Sequence, residues 1–261
     1  MKKLGIVLGA DGAKAAAQIG FLQALKEHNI KIDCVSGASS GAIIGGAMAG
    51  GMTPAEMWGA LRKIKAYHIL TCIPNPFRSG LFRTTKVKKL IRGYWKGKQM
   101  HELDMEFCCA STDLESGELV VFDASSNVDM AEAVMSSCCV PGIFEAEKIN
   151  GRQYIDGGLK ACLPIDAIRR FNPDVIIALD TSAKTTKPKN FKNFVASLWQ
   201  LYVIMEADVH QQRIEEQKPD FVVKVDIEDM SLFEISKFQY AYDKGYEAGL
   251  ANIEKIKELL K

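Results

Sequence analysis

The stretch that decides the fold is KIDCVSGASSGAIIGGAMAGG, residues 31–51. A short apolar run leads into Ser39, which lies among the smallest side chains available and is followed by a run of glycine and alanine. The pattern G-x-S-x-G between a strand and a helix is typical of a nucleophile elbow, a strained turn that lifts the serine hydroxyl above a sheet. Residues two positions away, here Gly37 and Gly41, must be small so that the turn can close. The stretch therefore predicts a strand, a nucleophilic Ser39, and a helix over 40–49 whose positive N-terminus faces the hydroxyl.

The flanking sequence extends this pattern to an α/β fold. KLGIVLG predicts a buried strand near residue 4, and AKAAAQIGFLQALKEHNI predicts a helix over 13–28. Together with the strand and helix around Ser39, this gives the order strand, helix, strand, helix, which is typical of a parallel sheet with right-handed crossovers. The further predicted elements are helices near 54–66, 84–95 and 128–138, a hairpin of strands 106–114 and 118–124, a second hairpin over 147–158 turning at Asn150-Gly151, strands over 174–180 and 220–226, a long amphipathic helix over 191–217 and closing helices over 235–260.

Composition favours one large α/β domain over residues 1–261. Of the 261 residues, 48% are apolar and 25% are charged, and the net charge is only +1. No apolar run is long enough to cross a bilayer and the N-terminus lacks the length of a signal peptide, so we expect a cytoplasmic protein. Seven cysteines without CxxC spacing argue against a disulfide framework and a zinc site. We expect reduced, buried thiols, no metal and no cofactor.

The segment from 57 to 101 is basic. It contains no Asp or Glu but eleven Lys and Arg, and aromatic residues such as Trp58, Tyr94 and Trp95 lie among them. Bases interleaved with aromatics suit an anionic phospholipid surface, and this segment predicts a basic helical cap at about 53–105. Nucleic acid would attract the same residues, but no recognisable nucleic-acid module accompanies them, so we expect none as a partner. The alternative is a set of ordinary solvated helices whose acidic partners lie elsewhere in the fold.

Two residues are candidates for activating Ser39. The order Ser39, Asp180, His210 would suit a catalytic triad, but His210 lies within a predicted helix and Ser39 comes too early in the chain for an α/β-hydrolase. Asp156 lies at the end of a predicted strand and is followed by Gly157 and Gly158, which let another backbone approach. An Asp-Gly pair is also a common turn, so Asp156 gains weight mainly from its combination with the elbow.

The chain resembles the bacterial patatin-like phospholipases. The resemblance is carried by LGIVLGADGAKAAAQIGFLQALKE, by VSGASSGAIIGGAMAGG and by AVMSSCCVPGIFEAEKINGRQYIDGGLKACLPIDAIRRF, which follow the family's order over most of residues 4–180. It implies a three-layer fold, with a central, mostly parallel sheet flanked by helices and the elbow after the second strand. It also implies a lipid acyl hydrolase with a Ser-Asp dyad and no histidine, in which Ser39 is the nucleophile and Asp156 the base.

The chain departs from the family in one loop. The family's glycine-rich oxyanion loop, G-G-G-x-[KR]-G, is replaced by Ala10-Asp11-Gly12-Ala13-Lys14-Ala15. Main-chain N–H groups of residues 10–13, with Ser40, are expected to bind the oxyanion, and Lys14 to lie near an anionic head group. An alanine at position 10 would cost about 1–2 kcal/mol if φ there had to be positive. A carboxylate at position 11 would repel the oxyanion unless it were turned away.

The sequence therefore predicts a phospholipase A-like or lysophospholipase-like esterase that forms an acyl-enzyme. The alternative is a weakly active or non-catalytic lipid-binding or regulatory relative, because the oxyanion loop is altered. The expected partners are a lipid or acyl-ester substrate and, through 57–101, an anionic membrane that the protein would meet peripherally at the inner face. A homo-oligomer is compatible with the sequence. A dinucleotide site at the first glycine turn is disfavoured, because G-x-G-x-x-G is not met.

Overall fold

A computed structural model describes residues 2–64, 80–181, 213–227 and 234–261, with Ser197, Gln200, Ile204, His210 and Met230 between them. The strands in this part of the chain are β1 (Leu4–Leu8), β2 (Cys34–Ala38), β3 (Gly80–Phe82), β4 (Glu106–Asp113), β5 (Leu119–Phe122), β6 (Gly142–Phe144), β7 (Glu147–Ile149), β8 (Arg152–Asp156), β9 (Val175–Asp180) and β10 (Phe221–Lys224). The helices are α1 (Ala15–Glu27), α2 (Ser40–Ala49), α3 (Pro54–Leu61), α4 (Thr85–Tyr94), α5 (Met130–Ser136), α6 (Gly158–Ala161), α7 (Ile165–Ile168) and α8 (Phe238–Leu259).

One large sheet forms the centre of the molecule. Its strands lie in the order β10-β9-β1-β2-β4-β8-β7, and the first five of these are parallel. The strands β1, β2 and β9 are buried along their whole length, as parallel strands with helices on both faces must be. The predicted class, an α/β fold with a mostly parallel central sheet between helices, is confirmed.

The far side of the sheet is antiparallel. There β4 pairs with both β5 and β8, and β8 pairs with β7. Both predicted hairpins are present, and the second turns at Asn150 and Gly151, whose φ angles are +51° and +83°. Two residues with positive φ suit the type I′ turn that an Asn-Gly pair favours. This hairpin carries Asp156 back to the sheet beside β4.

Side chains of successive strand residues point to opposite faces and enter two separate apolar layers. In β1, Leu4, Ile6 and Leu8 pack with α1, α2 and α8, whereas Val7 packs on the other face with Ile165 and Ile168 of α7. The sheet is therefore enclosed between two layers of helix. This arrangement leaves the ends of the strands, where turns connect them to helices, as the places where polar side chains gather.

The sequence missed a small second sheet in which β3 pairs in parallel with β6. Three-residue strands are too short to show a period of two, so only the tertiary structure reveals them. The helices predicted near 54–66 and 84–95 are present but shorter, as α3 and α4. Most of the helix predicted over 191–217 lies outside the described residues, and those that are described, including 213–217, are helical. The single domain over 1–261 stays a prediction.

Candidate active site

Ser39 occupies a strained turn between β2 and α2. Its φ and ψ are +50° and −122°, and it is the residue that precedes the first turn of α2. A non-glycine residue with positive φ costs about 1–2 kcal/mol, so the surrounding structure must hold it in place. The side chain is half-buried. The strand, the turn and the helix predicted around Ser39 are therefore present.

The two elbow glycines have no space for a side chain. A Cβ at Gly37 would lie 2.5 Å from the carbonyl oxygen of Gly41, and a Cβ at Gly41 would lie 2.4 Å from that of Leu8. Both contacts are with backbone, which cannot move aside as a side chain can. The small residues that the sequence places here are required because the end of β1, the elbow and the start of α2 converge at one point.

Asp156 lies at the end of β8 and is fully buried. The hydroxyl of Ser39 donates to its Oδ2 at 2.7 Å, and the N–H of Gly158 donates to its Oδ1 at 2.7 Å. The hydroxyl of Thr112 in β4 donates to the Asp156 carbonyl oxygen at 2.9 Å. The carboxylate is thus held on one side by α6 and presents its other oxygen to Ser39.

Gly157 lets this turn approach β4 closely. A Cβ at Gly157 would lie 2.0 Å from the carbonyl oxygen of Ala110. Since Ala110 also pairs with Ala38 at the end of β2, the elbow and the Asp156 turn meet across the same part of β4. The structure therefore brings together two residues that are 117 positions apart in the chain.

A third segment, residues 137–139, contacts both turns and was not singled out by the sequence. The N–H of Ser39 donates to Ser137 Oγ at 2.8 Å, and the thiol of Cys138 donates to the Ser39 carbonyl oxygen at 3.1 Å. The N–H of Asp156 donates to the Cys139 carbonyl oxygen at 3.0 Å. The signal that could have found these residues is the SSCC run before Pro141, within the stretch that carries the family resemblance.

The loop that follows β1 packs against the start of α2. The N–H of Asp11 donates to Ser40 Oγ at 2.9 Å, and the N–H of Gly41 donates to the Gly9 carbonyl oxygen at 3.1 Å. The N–H of Ala10 is engaged elsewhere, with the Cys162 carbonyl oxygen at 3.1 Å. Of the N–H groups expected to bind an oxyanion, those of residues 10 and 11 are therefore used within the protein.

Backbone angles show why the altered loop is tolerated. Gly12 has a φ of +54°, whereas Asp11 has a φ of −107° and Ala10 is not among the residues with positive φ. The one glycine that the chain keeps lies where glycine is needed. The strain considered for an alanine at position 10 does not arise.

The carboxylate of Asp11 is turned into the protein. Asp11 is only 7% exposed, and its Oδ2 accepts a hydrogen bond of 2.5 Å from Nε2 of Gln18 in α1. Burial raises the pKa of Asp11 above its ordinary value. Gln18 also donates to the Gly9 carbonyl oxygen at 2.9 Å, so one amide holds both the side chain and the main chain of this loop. Lys14 is partly exposed at the start of α1.

The sequence offered Asp180 and His210 as alternative partners that would complete a triad with Ser39. These two residues do contact each other, but neither is hydrogen-bonded to Ser39. His210 Nε2 lies 3.1 Å from Asp180 Oδ1, and both side chains are buried. The Ser39 hydroxyl donates to Asp156 instead. Among the described residues, no group of three or more His, Cys, Asp or Glu side chains could hold a metal ion.

The basic segment is only partly free to meet a surface. On α4, Lys88 pairs with Glu147 at 2.5 Å and Arg92 with Asp129 at 2.9 Å, so these two bases have acidic partners elsewhere in the fold. Lys86 and Lys89 are exposed on the same helix. Residues 65–79 of the segment lie outside the described part. No helix in the described ranges has the length and apolar character needed to cross a membrane.

The family model described as patatin-like phospholipase matches residues 6–169. An uncharacterized NTE family protein of Mycobacterium bovis is 28% identical over 187 residues, which is 71% of this chain and 51% of the relative. A lysophospholipase NTE1 of Meyerozyma guilliermondii is 24% identical over 93% of this chain and 19% of its own length. The chain thus spans about half or less of the length of these curated relatives.

Solved structures show the same fold at low identity. VipD from Legionella pneumophila aligns with a TM-score of 0.67 and 13% identity, over 97% of this chain and 67% of VipD. The effector ExoU of the Pseudomonas aeruginosa type III secretion system, in complex with SpcU, aligns with a TM-score of 0.59 and 15% identity, over 97% of this chain and 52% of the matched chain. At such identities the likeness extends to the fold alone.

Proposed function

The chain belongs to the patatin-like phospholipase family, and from that premise we propose that it hydrolyses fatty-acyl esters of lipids with Ser39 as nucleophile and Asp156 as base. The observation that carries the proposal is the hydrogen bond of 2.7 Å from Ser39 Oγ to Asp156 Oδ2. A nucleophile within this distance of a base that is itself oriented by a third group has the geometry that covalent catalysis needs. The orienting group here is the N–H of Gly158.

The reaction proceeds in two halves. Asp156 takes the hydroxyl proton as Ser39 Oγ bonds to the ester carbonyl carbon, and the resulting tetrahedral intermediate carries an oxyanion. Asp156 then returns the proton to the departing alcohol oxygen, leaving an acyl-enzyme on Ser39. In the second half Asp156 takes a proton from water, the water oxygen attacks the acyl carbon, and Ser39 leaves with that proton. The products are a free fatty acid and the deacylated alcohol.

The oxyanion is assigned to main-chain donors beside the elbow. The N–H groups of Ala10 and Asp11 already donate within the protein, to the Cys162 carbonyl oxygen and to Ser40 Oγ. The proposed oxyanion donors are therefore the N–H groups of Gly12, Ala13 and Ser40. The N–H of the residue after the nucleophile, here Ser40, is the usual first donor of an elbow. The buried Asp11 carboxylate faces Gln18, so it is held away from the developing charge. This placement favours a working hydrolase over the alternative of a non-catalytic lipid-binding relative.

Reaction with a fluorophosphonate ester probe separates these two candidates. The native chain should be labelled on Ser39, and Ser39→Ala should abolish both labelling and the hydrolysis of a panel of phospholipid, lysophospholipid and neutral lipid esters. Asp156→Asn keeps the shape of the side chain but removes the base, and should lower kcat by roughly 10³-fold or more. A native protein that folds but is neither labelled nor active on any ester would support the binder and overturn the hydrolase. The panel also identifies the preferred head group, on which the sequence is silent.

We further propose that the outer face of α4 contacts an anionic membrane. Lys86 and Lys89 are exposed there, and Leu90 and Tyr94 on the same helix are 38% and 42% exposed. Basic residues beside apolar and aromatic ones suit the head-group region of an anionic bilayer, where each base contributes on the order of 1 kcal/mol. The pairing of β3 with β6 places the segment before α4 next to the strand that follows residues 137–139.

Binding to vesicles tests this contact. The double variant Lys86→Glu/Lys89→Glu should weaken binding to vesicles of phosphatidylglycerol and phosphatidylcholine roughly 10-fold or more. The matched control, Lys255→Glu/Lys257→Glu, makes the same change of net charge on two lysines of α8 whose side chains are 52% and 42% exposed. Equal loss in both variants would indicate a general charge effect, and no loss in the α4 variant would remove the proposed contact.

A further inference from the structure

The strained elbow is held by a buried side chain that is far away in the sequence. Ser137 is fully buried, and its Oγ accepts the N–H of Ser39 at 2.8 Å while donating to the Ala110 carbonyl oxygen at 2.5 Å. The hydroxyl thus uses its one proton on β4 and offers a lone pair to the elbow. Because the Ser39 peptide adopts a conformation with φ of +50°, a fixed acceptor for its N–H helps to retain that conformation.

The same segment also holds the turn that carries Asp156. The Ser137 carbonyl oxygen accepts the N–H of Gly157 at 3.3 Å, and the Cys139 carbonyl oxygen accepts the N–H of Asp156 at 3.0 Å. Ser39 follows β2 and Asp156 is the last residue of β8, and these two strands are separated in the sheet by β4. Residues 137–139 therefore connect both turns directly, and through Ala110 they are anchored to the strand between them.

We infer that Ser137 is a positioning residue that sets the approach of Ser39 Oγ to Asp156. The inference rests on the proposed function and adds to it the group that keeps Ser39 Oγ within hydrogen-bonding distance of the Asp156 carboxylate. Without the Ser137 hydroxyl, the buried N–H of Ser39 loses its acceptor, and the cheapest way to recover one is to rotate the strained peptide. That rotation moves Ser39 Oγ away from the carboxylate, whereas the substitution removes no group that is assigned to substrate binding.

The neighbouring Ser136 provides a matched control. It is also fully buried, and its hydroxyl donates to the Ala133 carbonyl oxygen at 2.7 Å and lies 2.7 Å from Ser111 Oγ. Its hydroxyl therefore bonds to neither Ser39 nor Asp156. Ser136→Ala and Ser137→Ala remove the same atom from the same depth, so a merely structural role would make the two variants alike.

Kinetics and labelling of three variants test the inference. With a p-nitrophenyl acyl ester, Ser137→Ala should lower kcat and the rate of fluorophosphonate labelling about 10- to 100-fold relative to Ser136→Ala, with KM changed by less than about twofold. Ser137→Thr keeps the hydroxyl and should restore most of the rate. Should Ser137→Ala not fold, Ser137→Cys retains the shape with a weak acceptor, and it should show the same selective loss of kcat. Equal rates for the variants at 136 and 137 would overturn the inference.

Crystal structures of the same variants distinguish failure of this inference from failure of the proposed function. In Ser137→Ala, or in Ser137→Cys if the alanine variant does not fold, the distance from Ser39 Oγ to Asp156 Oδ2 should exceed 3.5 Å, while Ser136→Ala should keep the native 2.7 Å. A native protein without esterase activity would refute the function, yet this distance would still decide whether Ser137 positions Ser39. An unchanged distance in the variant at 137 would refute the positioning role even in an active enzyme.

Discussion

Two turns meet at the candidate site, and they treat glycine differently. The elbow from Gly37 to Gly41 keeps both glycines, and a Cβ added at either position would lie only 2.4 to 2.5 Å from backbone atoms. The loop of residues 10–15 has lost the family's glycines at 10, 11 and 15 and has kept Gly12, whose φ is +54°. Asp11 and Ala15 have negative φ in this structure, which L residues adopt freely.

The difference shows that glycine serves two purposes in this family's pattern. In the elbow and at Gly12 it is a steric or conformational requirement. At positions 10, 11 and 15 glycine is replaceable in this chain, because φ is not positive there. A polar side chain at such a position also needs a hydrogen-bond partner. Asp11 finds one in Gln18, so a loop that looks degraded in the sequence is held by side-chain contacts instead.

The largest effect is expected at the elbow, from Gly41→Ala. Its Cβ would lie 2.4 Å and 2.5 Å from the carbonyl oxygens of Leu8 and Gly9, so β1 and α2 must separate. We expect the free energy of unfolding to fall by about 3 kcal/mol or more, with loss of fluorophosphonate labelling. Gly59→Ala in α3 is the control, because nothing lies within 4 Å of its Cβ. Urea denaturation of both variants measures the effect, and similar stabilities would contradict the steric argument.

A smaller effect is expected from Gly12→Ala. An alanine with a φ of +54° should cost about 1–2 kcal/mol of stability and should also lower kcat, because the N–H of residue 12 is assigned to the oxyanion. Gly117→Ala is the control, since Gly117 has a φ of +70° in the turn between β4 and β5. Both variants should lose similar stability in urea, but only the variant at 12 should lose activity. A matched loss of kcat at 117 would mean that strain alone explains the result.

The smallest effect is expected from Asp11→Gly. Because the carboxylate is already turned toward Gln18, restoring the family's glycine should not raise kcat. It should lower the free energy of unfolding by about 1 kcal/mol, through the lost hydrogen bond and the added flexibility of the unfolded chain. Esterase assays and urea denaturation measure both quantities. A marked gain in rate would show that the aspartate does impair the oxyanion site.

The pH dependence of the same residue sharpens this test. Burial raises the pKa of Asp11, with Asp180 adding to the shift and Lys14, Gln18 and Thr181 opposing it. The folded state therefore binds the proton more tightly than the unfolded state, whose pKa is about 4, and stability due to this group falls as pH rises from there through the folded pKa. Asp11→Asn removes that decline, so the difference in unfolding free energy between variant and native protein should grow with pH across this window. Parallel curves would contradict a raised pKa.

Much of the fold could be predicted because it is encoded locally. The fully buried strands β1, β2 and β9 are rich in apolar residues, and the turn at Asn150-Gly151 follows from the φ angles that those two residues accept. The pairing of β3 with β6 could not be predicted, because each strand has only three residues and its partner is about sixty residues away. The partners of Lys88 and Arg92 also required the structure, since Glu147 and Asp129 lie on other elements.

The sequence by itself determined the elbow at Ser39, the carboxylate at Asp156 and the α/β class, because small residues around a serine, an Asp-Gly-Gly turn and alternating strands and helices are local features. The tertiary structure decided that the two side chains meet at 2.7 Å, that Ser137 holds the elbow and that Asp11 points inward. The physical reason is that these contacts join residues brought together only when β4 pairs with both β2 and β8 and when Gln18 of α1 bonds to the loop after β1.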